Sequence, residues 1–248
     1  MTRPLGWLHP RRLGRTHLGV SVARGTLDAL PIAVELAHTP EVYDQGAVGS
    51  CTAQALACAV ETVARRCGYQ PERPSRRDLY FRERRMEGTA LTDAGAILAD
   101  GVTSLTRGWL PESRWPHATV WGPEWTTAPP ALPVDAPRVV NAEALAITVD
   151  DVLWELASGH PVVVGLEVTD AWETLTGDRL PDPEGSSIGG HAVCLVGYDR
   201  GLGCVRVRNS WGPQWGDRGE AWLPFSWLSL GVCGEAHSIR AIRRAERI

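Results

Sequence analysis

At 248 residues with 44% apolar side chains, the chain can bury a full core as one compact unit or two closely packed lobes. A net charge of -4 argues against a nucleic-acid partner, and all 25 basic residues are arginine, which excludes lysine-based covalent chemistry such as a Schiff base. No run is long enough to span a bilayer and the opening MTRPLGWLHPRRLGR lacks the apolar core of a signal peptide, so a cytoplasmic protein without a membrane partner is expected.

In chain order, residues 1–30 are basic and irregular, with Pro4, Pro10 and several glycines, and form an N-terminal arm ahead of a catalytic domain over 31–248. The arm is read as a strap along the sheet lobe, with occupation of the cleft as the alternative. Residues 31–44 lead in. A glycine-punctuated turn from Gln45 then runs into Cys51, and the apolar spacing from Ala53 to Val60 predicts a buried helix. A thiol at a helix N-terminus meets unpaired N–H groups and the positive end of the dipole, so its pKa is expected to be lowered. Gln45 can fold back so that its amide and the Cys51 N–H converge on one point, as an oxyanion hole requires.

Ser75 is the expected N-cap of a second helix running to Met86, with its arginines on a solvated face. A third helix is expected over Ala94 to Leu105, interrupted by Gly95 and Gly101, and Gly108 to Pro116 is read as the crossing between lobes. Beyond the Pro- and Trp-rich stretch to Pro137 the period changes. Strands are expected over Val139 to Ile147, Pro161 to Val168, His191 to Tyr198, Gly203 to Asn209 and Glu220 to Leu223, with a short helix over Asp150 to Ser158. Helices first and strands second give an α+β fold, with a helical lobe over about 45–120 and a sheet lobe over about 130–240 plus 31–44. Glu167 to Ser187 is expected to be a loop beside the cleft between them.

Three motifs carry the chemistry: QGAVGSC at Gln45 to Cys51, GHAVCLVGYD at Gly190 to Asp199, and RNSWGPQWGDRG at Arg208 to Gly219. An early Cys, a late His and a following Asn are the parts of a nucleophile, its base and an orienting amide. In this order and form they resemble the papain-like cysteine peptidases. The resemblance implies a two-lobe fold, a helical lobe facing an antiparallel sheet or barrel, with Cys51, His191, Asn209 and Gln45 catalytic. It implies a tryptophan, Trp211, shielding the His–Asn pair, and a substrate-facing set of Gly95, Gly165, Gly190 and Ala192. Because Gly165 and Ala192 are small, a bulky apolar or aromatic side chain is expected in the main pocket.

A peptide or protein is therefore the expected substrate, and hydrolysis through a thioester the expected reaction. A ligase or acyltransferase maturing a dedicated peptide and a non-catalytic peptide-binding module are the alternatives. The family's long prosegment does not fit the stretch before Gln45, so control is expected from the arm, from the 167–187 loop, or from a separate inhibitor or activating partner. The six cysteines are expected as free thiols, His237 is read as structural, and no cofactor or metal is expected.

Overall fold

The computed structural model describes residues 3–68, 72–229 and 231–243. Part of the loop expected over Cys67 to Pro74 lies outside them. The fold is α+β. Helix α1 spans Cys51–Arg66, α2 Arg76–Glu87, α3 Leu98–Arg107 and α4 Val149–Ala157. Seven strands follow the chain as β1 (Ala33–Glu35), β2 (Arg138–Ala144), β3 (Val162–Val168), β4 (Gly189–Asp199), β5 (Cys204–Arg208), β6 (Glu220–Pro224) and β7 (Cys233–Arg243). They form one antiparallel sheet in the order β2-β7-β3-β4-β5-β6, with β1 paired to β4 off that path. The sheet is open, which corrects the barrel allowed for in the sequence reading.

Alternation along the central strands divides the apolar residues between two clusters. Val163, Ala192, Cys194 and Val196 pack toward α1, whereas Val162, Val164, Leu166, Val193 and Leu195 pack toward Leu153 and Leu156 of α4. Helix α1 is buried on every face from Cys51 to Ala64. Its residues there are mostly Ala, Cys, Thr and Val, small enough to let sheet and helices approach closely. A long helix with no polar face is thereby held in the middle of the molecule, and its first residue is fixed with it. Among the described residues no helix is long and apolar enough to cross a membrane.

Helix α2 starts where expected, with Ser75 Oγ accepting from the Asp78 N–H. Its arginines do not form a solvated face. Arg84 is fully buried and donates to the carbonyls of Tyr80, Ala90, Thr92 and Trp125. Arg76 is buried between Glu112 and Gln54. Each fills the role of a polar staple, tying an irregular segment to the helix by satisfying backbone carbonyls or a carboxylate. Arg84→Leu is expected to leave those carbonyls unpaired and to destabilise the fold by about 3 kcal/mol, read as a lowered urea midpoint at unchanged slope.

Helix α3 begins at Leu98, four residues later than expected, because Gly95 has φ +80° and the 94–97 segment is extended, not helical. That segment lines the cleft.

Candidate active site

Cys51 is the first residue of α1. Ser50 precedes it with no side-chain cap, its hydroxyl instead accepting from Gln54 Nε2 at 3.1 Å, so the first turn of the helix has no serine oxygen over its N–H groups. His191 enters on β4 and Asn209 follows the last residue of the neighbouring β5. The antiparallel register sets Cys194 opposite Arg208, which brings the two side chains together: His191 Nε2 and Asn209 Oδ1 lie 2.8 Å apart. This contact makes Nε2 the protonated nitrogen, leaving Nδ1 as the basic one, and among the described residues Nδ1 makes no hydrogen bond. Cys51 Sγ accepts from the Ala192 N–H at 3.4 Å, so the thiol lies against the residue that follows the histidine. Trp211 covers the pair, its ring 4.7 Å from the imidazole. Trp172, from the 167–187 loop, meets His191 edge-on at 5.9 Å and stacks on Trp215. The sequence placed that loop beside the cleft but gave no sign that one tryptophan in it would touch the histidine.

Gln45 is fully buried and its amide orientation is fixed. Ser210 Oγ donates to Oε1 at 2.7 Å, so Nε2 must point the other way, where it donates to Val48 O at 2.9 Å and Pro4 O at 3.1 Å. The second acceptor is a peptide carbonyl of the arm. The group assigned to oxyanion stabilisation is thus engaged by the protein's own N-terminal segment.

Residues 3–9 run through the cleft, which overturns the strap reading for that part of the arm. The Arg3 N–H donates to Glu173 Oε1 at 2.8 Å and the Arg3 guanidinium lies 6.0 Å from the Trp211 ring. Gly6 crosses the Gly49 backbone so closely that a methyl group on it would meet Gly49 O at 1.7 Å. Around Ala96 the arm adds a short parallel bridge: Ala96 donates to Gly6 O at 2.7 Å and Leu8 donates to Ala96 O at 2.9 Å, while the Trp7 N–H reaches Gly190 O at 3.0 Å. The backbone-pairing residue is therefore Ala96, one after the expected Gly95. Gly95 still matters, since a methyl there would stand 2.4 Å from Gly6 O.

The Trp7 side chain fills a pocket in the sheet lobe and is only 3% exposed. Methyl groups at Gly165, Gly190 and Gly234 would come within 2.2 Å, 2.2 Å and 2.7 Å of this residue, so three missing side chains make the space for one indole. At the end of the pocket Trp7 Nε1 donates to Glu235 Oε2 at 2.8 Å. Gly165 and Gly190 thus lie where substrate contact was expected. Ala192 lies beside the thiol instead. Farther on, the arm does act as a strap, with Val20 bridged to Leu145 and Asp151 accepting from Val22 and Ala23.

Burial reverses the expected thiol acidity. Cys51 is pushed up to about 12 by exclusion from water, only partly offset by N–H groups of Ala192, Gly6 and Thr52, and His191 is pushed down to about 4 by the same burial. Both shifts favour the neutral pair over thiolate and imidazolium while the arm is seated. A histidine whose folded pKa lies below its unfolded 6.5 contributes stability above pH 6.5 and loses it as pH falls toward 4. His191 and His117, the latter also pushed down to about 4 by burial, therefore each lower stability as pH falls across that window, while Glu87, pushed up to about 8 by burial, acts in the opposite direction. His191→Gln should make stability fall less steeply between pH 6.5 and 4 than in the unmodified protein, read in a pH series of thermal unfolding.

All six cysteines are free. The Peptidase_C39 like family matches residues 116–231. An uncharacterized peptidase C1-like protein of Acanthamoeba polyphaga mimivirus is 31% identical over 214 residues, covering 79% of this chain and 68% of the relative. Cathepsin B-like CP3 of Giardia intestinalis is 29% identical over 233 residues, covering 80% and 71%. The crystal structure of xylellain, a cysteine protease from Xylella fastidiosa, superposes with a TM-score of 0.84 at 29% identity, covering 98% of this chain and 99% of that one. By sequence and by architecture, this chain belongs to the papain-like cysteine peptidases.

Proposed function

We propose that this cysteine peptidase hydrolyses peptide bonds through a Cys51–His191–Asn209 triad and a thioester intermediate, and that its N-terminal arm restrains it. Sγ of Cys51 attacks the substrate carbonyl carbon as its proton passes to His191 Nδ1. Asn209 holds the imidazole in the required tautomer, and Gln45 Nε2 donates to the developing oxyanion. The imidazolium then gives its proton to the leaving amine. Water, deprotonated by the same nitrogen, cleaves the thioester and restores the thiol.

The observation that carries this reading is the Gln45 amide, locked by Ser210 and aimed at a peptide carbonyl, that of Pro4, within the same cleft as the thiol. The arm is a poor substrate for the same site. What it offers Sγ at Gly6 is an N–H donor, not a carbonyl carbon, so the nucleophile is hydrogen-bonded in place of reacting. The arm also supports a substrate class. A pocket walled by glycines that takes an indole fits peptides with a bulky aromatic side chain at the equivalent position.

The test is incubation of arm-released enzyme with a peptide library, with and without an added amine, and mass spectrometry of the products. Carboxylate products cut next to aromatic residues are expected in both arms. Products that are amides even at low amine would establish a ligase in place of a hydrolase, and a strict preference for small or acidic side chains would overturn the pocket assignment.

A further inference from the structure

Among the described residues, a further group of potential metal-ligating side chains converges away from Cys51 and His191. His17 of the arm meets Glu235 and His237 of β7, with one ligand atom from each within 4.8 Å of the others. The two imidazoles stand edge-on, 5.2 Å between centroids, and His237 Nε2 lies 3.4 Å from Glu235 Oε1. Glu235 and His237 are buried, so they do not belong to a solvated charge cluster.

The surroundings of these three residues resemble those of metal ligands. His17 Nε2 donates to the Leu145 carbonyl at 2.7 Å, which fixes the tautomer and leaves Nδ1 with its lone pair. The Glu235 carboxylate is held from outside the cluster by the N–H groups of Leu98 at 3.0 Å and Ala99 at 3.1 Å, as well as by Trp7 Nε1. Two imidazoles and one oriented carboxylate form a donor set that suits zinc and its neighbours in the first transition row.

We propose that His17, Glu235 and His237 bind one divalent ion of the zinc class, and that this ion clasps the arm to the sheet lobe. The placement gives the ion a consequence. Glu235 is also the end wall of the Trp7 pocket, so a single carboxylate joins the ion, the inserted indole and the start of α3. His17 is the only ligand from the arm, eight to eleven residues beyond the segment that crosses Cys51. Between them Arg15 Nη1 donates to both carboxylate oxygens of Asp100 of α3, at 2.7 and 2.6 Å. With the ion bound, lifting the arm requires breaking a metal–nitrogen bond as well. Loss of the ion by chelation loosens the arm without any change at the thiol. The clasp rests on the reading of the arm as a restraint, but the binding site does not.

Zinc also attacks active-site thiols, so the experiment uses the full chain carrying Cys51→Ala and does not rely on activity. Titration with Zn2+, and with Co2+ as the spectroscopic probe, is expected to show one equivalent bound per chain. The Co2+ complex should lack the near-ultraviolet charge-transfer band of a thiolate ligand, and affinity should fall at least tenfold in His17→Gln and in His237→Gln. In the same samples Zn2+ is expected to slow trypsin cleavage at the exposed Arg11 and Arg12 at least tenfold, and to have no effect once His17 is replaced. No binding, binding that survives His17→Gln, or a thiolate band would overturn the site. One-equivalent binding with unchanged cleavage at Arg11 and Arg12 would overturn the clasp. His17 lies on the arm, outside the core, so its variant is informative even if His237→Gln fails to fold.

Discussion

Cys51→Ala is expected to abolish peptide hydrolysis, lowering turnover on the order of 10⁴-fold or more, while the protein still folds. The size of the effect follows from the shared task of the triad. Without a sulfur nucleophile, neither the base at His191 nor the donor at Gln45 has an intermediate to act on. The fold should survive because only one sulfur atom leaves a site beside Ala192 and Gly6, and filling by its neighbours keeps the cost to about 1 kcal/mol. Cys58→Ala is the matched control, since Cys58 lies seven residues along the same buried helix and faces the core. Turnover with a fluorogenic peptide, alongside circular dichroism of both variants, decides the matter. If Cys51→Ala keeps more than a hundredth of the activity, or Cys58→Ala loses as much, the nucleophile has been misassigned.

The grouping of the candidate site residues was legible in the sequence because they are carried by local motifs whose geometry is short-range. QGAVGSC sets Gln45 and Cys51 on one turn and helix start, and GHAV and RNSW each place one side chain at a strand end. Fold class was legible for a similar reason, since the change from helical to alternating period near residue 138 is sharp. What the sequence hid was set by tertiary burial. Arg84 and Arg76 look like surface residues on a charged helix, yet they pair with carbonyls and a carboxylate contributed by segments 8 to 41 residues away. The thiol's acidity was misjudged because a helix N-terminus lowers a pKa only if water or a counter-charge supports the thiolate. Burial beneath Gly6 removes the water. The Trp7 pocket is assembled from Gly165, Gly190 and the Gly234–Glu235 pair, three distant stretches that no periodicity links.

Removing Met1 to His9, or making Gly6→Val, is expected to raise activity on a short peptide substrate by about 30- to 150-fold. The estimate rests on the net hold of the arm. Burial of the Trp7 indole stabilises the seated state by about 2–3 kcal/mol. The backbone bonds at Gly190 and Ala96 and the Trp7–Glu235 contact add to this, while ordering the segment offsets most of their gain. A net hold of about 2–3 kcal/mol leaves only about 0.6–3% of molecules open, and hydrolysis requires the open state. Gly6→Val reaches the same end without shortening the chain, because a side chain at residue 6 would collide with Gly49 O and the segment could not lie across the thiol. Trp7→Ala should give a smaller rise, emptying the pocket while leaving the Pro4 carbonyl able to reach Gln45. All three changes leave the 17–23 strap in place, with its bonds to Leu145 and Asp151, so the fold should persist while melting temperature falls by about 5–10 °C at most, the loss of the seated segment's own hold. Freed molecules should also alkylate at Cys51 near neutral pH, where the seated form does not, since rehydration lets the thiolate–imidazolium pair form. Unchanged activity together with a markedly lower melting temperature would mean that residues 3–9 brace the two lobes and do not control access to Cys51.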